Sequence, residues 1–87
     1  MAKRILVVED ERDHRELLNL IFSVNGYDVD LAATAQEAEA VLRERKPDLV
    51  ILDVMLPDVD GWDFCEKLKH DEPTVGIPVM MLSAPIP

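Results

Sequence analysis

Two stretches of the chain are apolar without alternation: "RILVV" at 4–8 and "LVILD" at 49–53. A strand buried on both faces reads this way. "VMML" at 79–82 is a third, shorter run of the same kind. "YDVDLA" at 27–32 alternates apolar and polar positions, which predicts a half-exposed strand near a sheet edge. Between these runs the period changes. Leu17, Leu18, Ile21 and Phe22 recur at helical spacing within a segment from about Asp13 to Val24. Asn25 and Gly26 stop it, and Gly26 suits a left-handed cap. Thr34 and Glu37 form a T-x-x-E capping box before a helix that carries Ala38, Val41 and Leu42 on one face. Pro47 closes that helix. Gly61 lets the chain turn into a short helix from Trp62 to about His70, and "DEPTVGIP" at 71–78 is a loop.

The resulting order is β-α-β-α-β-α-β. Alternation at this pitch predicts a parallel sheet with right-handed crossovers. Ligands in such sheets bind at the carboxyl ends of the strands, where the strand order reverses. The first strand runs into Glu9 and Asp10, the third ends in Asp53, and the fourth runs into Ser83.

Charge sharpens this picture. The 87 residues hold 18 acids against 9 lysines and arginines, a net charge of −9. That argues against a nucleic-acid surface or an anionic membrane as partner. Three carboxylates gathered at strand ends repel one another unless protonated or paired with a cation. No lysine or arginine stands at a strand end to pair with them. Mg²⁺ suits a site built from a few carboxylates and water. Asp53 is also a competent nucleophile toward phosphorus. The length allows a single domain, and the 48% hydrophobic content is enough for a core. Cys65 is the one cysteine, so no intrachain disulfide forms. The first ten residues do not read as a secretory signal, and no apolar run is long enough to span a bilayer. The expected location is cytoplasmic.

These residues resemble the receiver domain of two-component response regulators. The resemblance rests on "VVEDE" at 7–11, on Asp53-x-Met55-x-Pro57-x-x-x-Gly61, and on "MLSA" at 81–84, and it covers the whole chain. It implies a flavodoxin-like three-layer fold with strand order 2-1-3-4 over one domain, residues 1–87. It implies Asp53 as phosphoacceptor. Glu9, Asp10, Asp53 and the backbone carbonyl of Met55 would be the Mg²⁺ ligands. Ser83 takes the place of the switch hydroxyl that meets the phosphoryl group, and Ala84 that of the small residue beside it. Pro57 and Gly61 would shape the loop after Asp53. The phosphodonor would be a histidine kinase or phosphotransfer protein. A complete receiver has five strands, so this chain is expected to be a form truncated after the fourth strand, without the final helix-strand-helix and its lysine.

The other conspicuous residues have plain structural readings. Met55, Met80 and Met81 read as core filler and Cys65 as a buried thiol. Trp62 is expected to pack at the start of its helix. His14 and His70 read as surface residues, and Glu11 and Asp13 as first-turn acids favoured by the helix dipole. An aspartate-nucleophile phosphatase generally carries a second acid two residues after the nucleophile, where this chain has Met55. The chain is therefore expected to be a switch and not a turnover enzyme. The alternative is a receiver fragment that serves as an interaction module. A homodimer is also expected, formed through the edge of "VMML" and a sheet face on which Ile5, Val7, Ile51 or their neighbours are left partly bare.

Overall fold

A computed structural model describes residues 2–82. Its elements in chain order are β1 (Arg4–Val8), α1 (Arg12–Val24), β2 (Asp28–Ala32), α2 (Ala35–Glu44), β3 (Leu49–Asp53), α3 (Gly61–His70) and β4 (Val79–Leu82). All four strands are parallel, in the order β2-β1-β3-β4. The handedness of the crossovers decides where the helices go. From β1 to β2 the chain steps one way across the sheet, and from β2 to β3 to β4 it steps the other way. Right-handed connections therefore put α1 on one face and α2 and α3 on the other.

The two-residue period of the strands divides the core accordingly. Leu6, Val8, Val50 and Leu52 face α2 and α3, where they meet Ala35, Ala38, Phe64, Cys65 and Leu68. Ile5, Val7 and Ile51 face the other way and pack with Leu18 and Phe22 of α1. Of the face expected to be partly bare, Ile5, Val7 and Ile51 themselves are covered, and the exposure falls on a neighbour. All three are buried, because α1 packs over β1 and β2 and two of its large side chains close that face. The exposed position lies further out: Met80 on β4 is 53% exposed. Register places it beside Ile51, on the α1 side. Met80 is therefore not the core filler it reads as in sequence.

The local signals mostly hold. Gly26 has φ of 91°, the left-handed conformation at the end of α1. Thr34 caps α2 by accepting the Glu37 N–H at 3.0 Å. The return bond of the capping box shifts by one residue, since the Glu37 carboxylate accepts from Ala33 N–H at 3.0 Å. α1 begins with Glu11 as its cap, accepting the Asp13 N–H, so Glu11 is more than a first-turn charge. Among the described residues, no helix is long and apolar enough to cross a membrane.

Candidate functional site

The strand order reverses between β1 and β3, and both strands end in acids. Glu9 follows β1 and is anchored by its own backbone, which donates to Ala32 O at 3.0 Å. It is the one buried polar or charged residue among the described residues, 4% exposed. Asp53 is the last residue of β3 and half-buried. Burial pushes the Glu9 carboxyl above the ordinary glutamate range. A hydrogen bond to the Asp53 carboxyl and repulsion from it push the same way, while the Glu11 N–H, which donates to Glu9 Oε2 at 3.3 Å, pulls it down. Two acids thus face each other at the ends of adjacent strands, and like charges so placed favour a cation beside them. Asp10 is exposed on the rim beside them.

The three-acid cluster expected from sequence is therefore a facing pair with a third acid at its edge. Among the described residues, no three His, Cys, Asp or Glu side chains converge into a ready-made metal site. Mg²⁺ does not need one. It keeps several waters and takes one or two protein carboxylates. The Glu9–Asp53 pair, short of positive charge and partly desolvated, meets that requirement.

The loop from Val54 to Asp60 is held tightly against this pair. Asp53 Oδ1 accepts the Met55 N–H at 3.2 Å, so the carboxylate also forms an Asx turn at the strand end. Met55 bridges back to Asp60, and Gly61 N–H donates to Val54 O at 2.8 Å. A Cβ on Gly61 would collide with the Asp53 carbonyl oxygen and lie 2.7 Å from Val54 Cα. Gly61 is required for close approach to the backbone that carries Asp53, and not for a turn at positive φ. Asp60 caps α3 by accepting the Trp62 N–H at 2.7 Å. Met55 and Trp62 are exposed, Trp62 by 55%, so neither packs as its residue type suggests. Cys65 is buried, as expected. Ser83 and Ala84 lie outside the described residues.

Three participants were not legible in the sequence. His14 Nδ1 lies 3.4 Å from Glu9 Oε1, and its Nε2 lies 3.4 Å from Glu11 Oε2, so this exposed histidine leans on the acid cluster. Arg15 Nη1 donates to the backbone carbonyls of both Glu9 and Asp10, at 2.9 and 3.1 Å. Asp58 reaches out of the loop to α2, where its two oxygens accept the Ala35 and Gln36 N–H groups at 3.1 and 3.0 Å. A basic residue one turn after strand-end acids is a weak signal for the second contact. The third spans 23 residues and needs the fold.

Comparison with known proteins places these features in context. The response regulator receiver domain family matches residues 5–86. The chain is 44% identical over 84 residues to the phosphate regulon transcriptional regulatory protein PhoB of Pseudomonas aeruginosa, covering 97% of this chain and 37% of that protein. It is 41% identical over 81 residues to the DNA-binding dual master transcriptional regulator RpaA of Synechocystis sp., covering 93% and 34%. It thus spans about a third of the length of these curated relatives. Among solved structures, the signal receiver domain of a signal transduction histidine kinase from Syntrophus aciditrophicus superposes with a TM-score of 0.91 at 35% identity, over 99% of this chain and 65% of that one. The chemotaxis response regulator CheY4 of Vibrio cholerae superposes with a TM-score of 0.92 at 25% identity, over 100% and 72%.

Proposed function

The chain belongs to the response regulator receiver domain family, and from that premise we propose that it accepts a phosphoryl group on Asp53, with Mg²⁺ held by Glu9, Asp10, Asp53 and the Met55 carbonyl. The observation that carries this reading is the facing pair of Glu9 and Asp53 at the point where the strand order reverses. A carboxylate oxygen of Asp53 attacks phosphorus. The bond from phosphorus to the donor's leaving group breaks, and that group departs with the bonding electrons. A histidine kinase or phosphotransfer protein fits as donor, its leaving group an imidazole nitrogen. The Met55 N–H fixes Asp53 Oδ1 and so orients the carboxylate for in-line attack. Bound Mg²⁺ supplies positive charge against the phosphoryl oxygens. Ser83 is proposed as the hydroxyl that contacts the phosphoryl group.

The net charge of −9 disfavours direct DNA contact by these residues. Control of transcription, which the names of the two curated relatives describe, is proposed as an output reached through other parts of a regulator. The test is intact mass after incubation with acetyl phosphate and Mg²⁺. We expect a single phosphoryl adduct on the wild type and none on Asp53→Asn. An adduct that persists in Asp53→Asn rejects the acceptor. A wild type that never gains the adduct favours the interaction module.

A further inference from the structure

Arg15 poses an electrostatic puzzle. It stands one turn into α1, beside the acids that the proposed function assigns to Mg²⁺, and a fixed positive charge there repels a divalent cation. Arginine beside carboxylates ordinarily pairs with them. Arg15 does not. Its Nη1 takes the backbone carbonyls of Glu9 and Asp10 together, at 2.9 and 3.1 Å. The other arginines near acids behave in the ordinary way: Arg12 pairs with Glu16, and Arg4 with Asp30. The half-buried Arg15 thus closes the β1–α1 connection from behind through its carbonyls and takes no side-chain oxygen of either acid for itself.

The geometry points to Arg15 as a positioning residue that fixes the Glu9–Asp10 backbone and so aims both carboxylates for the metal. The inference rests on the reading of Glu9, Asp10 and Asp53 as the Mg²⁺ site. The connection it braces is otherwise held by few bonds, one of them the long contact from Glu11 N–H to Glu9 Oε2 at 3.3 Å. Glu9 N–H continues the ladder to Ala32 O, Glu11 caps α1, and between them the chain turns sharply with the acids at the bend. Two carbonyls that end a strand are unsatisfied acceptors, and one fork of Arg15 satisfies both while fixing their relative direction. Residues that orient metal ligands from outside the coordination shell typically account for ten- to a hundredfold in affinity.

Charge and position predict opposite signs, which makes the idea testable. If Arg15 acts only as a nearby charge, Arg15→Ala tightens Mg²⁺ binding. If it positions the ligands, Arg15→Ala weakens binding despite the lost repulsion. Mg²⁺ titration by calorimetry on the wild type, Arg15→Ala, Arg15→Lys and Arg12→Ala separates the two. We expect Arg15→Ala to bind about tenfold more weakly. Arg15→Lys keeps the charge on a stem one bond shorter, and its affinity should fall between the two. Arg12→Ala, which removes the same charge three residues away, should bind as tightly as the wild type or slightly tighter. A second readout needs no metal: amide exchange at Glu11 should quicken in Arg15→Ala and Arg15→Lys. If Arg15→Ala fails to fold, Arg15→Lys alone decides, since charge predicts no change for it and position predicts loss. Wild-type binding with Arg15→Ala or Arg15→Lys unchanged or tighter overturns the role of Arg15. A wild type that binds no Mg²⁺ overturns the metal site itself, and this inference with it.

Discussion

At the scale of single residues, Glu9 shows a site kept at the expense of the fold. Its carboxyl is buried against another acid and titrates above the ordinary value of 4.5. A raised carboxyl favours the neutral form in the folded state. Its contribution to stability is therefore fully present below about pH 4.5 and is lost as pH rises through the elevated value. At neutral pH the metal-free protein carries that cost. Glu9→Gln keeps the shape and removes the charge. We expect it to melt higher than the wild type at pH 7 without metal, with the difference closing as pH approaches 4.5. Mg²⁺ should raise the Tm of the wild type, because it binds only the folded chain, and leave Glu9→Gln unmoved. Thermal melts at three pH values with and without Mg²⁺ check both halves. A variant that melts lower than the wild type at pH 7 contradicts the reading. Sequence exposed the acids at this site because each ends an apolar run. It could not show that Glu9 is buried while Asp10 is not, since adjacent residues leave a strand on opposite sides and only the packed sheet says which side is covered. Nor could it rank Met55 and Trp62, whose apolar side chains suggest a core that the loop around Asp53 does not supply.

At the scale of elements, α2 is tied to the site by a carboxylate that belongs to neither its own sequence nor its own strand. Its first three N–H groups are all satisfied: Ala35 and Gln36 by Asp58, and Glu37 by Thr34. These are the donors that a helix leaves free and that favour negative charge. Bonding to the Ala35 N–H, aided by Gln36, holds the Asp58 carboxyl below its ordinary value of 3.8. A depressed carboxyl stabilises the fold above its unfolded value, and that contribution is lost as pH falls through the lower folded value. Asp58→Asn should therefore be less stable than the wild type at pH 7, and the gap should narrow below about pH 3.8. Urea titrations at pH 7 and pH 3 measure it, and a gap of equal size at both would show that the charge is irrelevant. Amide exchange at Ala35 and Gln36 should quicken in the same variant. The capping box of α2 was legible because Thr34 and Glu37 lie within one turn. The Asp58 tie was not, because it joins a loop after β3 to a helix before it. Element types and order were legible for a related reason: each strand carries its signature in four or five consecutive residues, and each helix its own face.

At the scale of the whole molecule, the sheet is well covered on the face of α2 and α3 and unevenly covered on the other. α1 packs over β1 and β2, and its outward residues Leu17, Leu20, Ile21 and Val24 are exposed. Met80 shares the α1 side of the sheet by register, and Leu82, two residues on, packs against the same cluster while remaining half-exposed. Within the described residues β4 pairs with β3 alone, so its outer backbone groups form an open edge. An edge of this kind beside apolar side chains invites pairing with another chain. A polypeptide of these 87 residues should therefore self-associate, two copies placing β4 against β4 antiparallel about a two-fold axis. The driving patch is Met80 and Leu82, neighbours of Ile51 on the face that the sequence pointed to, and not Ile5, Val7 and Ile51 themselves, because α1 already buries those three. Pro78 breaks the ladder at one end, which confines pairing to about the four residues of β4. Two copies of a half-exposed methionine together bury about one full side chain, roughly 1.5–3 kcal/mol. Met80→Lys should then weaken association by at least about tenfold, since it removes that burial and places like charges across the axis. Light scattering over a dilution series reads the outcome. A mass that falls on dilution in the wild type and stays monomeric in Met80→Lys supports edge pairing, whereas a wild type that is monomeric throughout, with sharp cooperative unfolding, shows that the edge is protected without a partner.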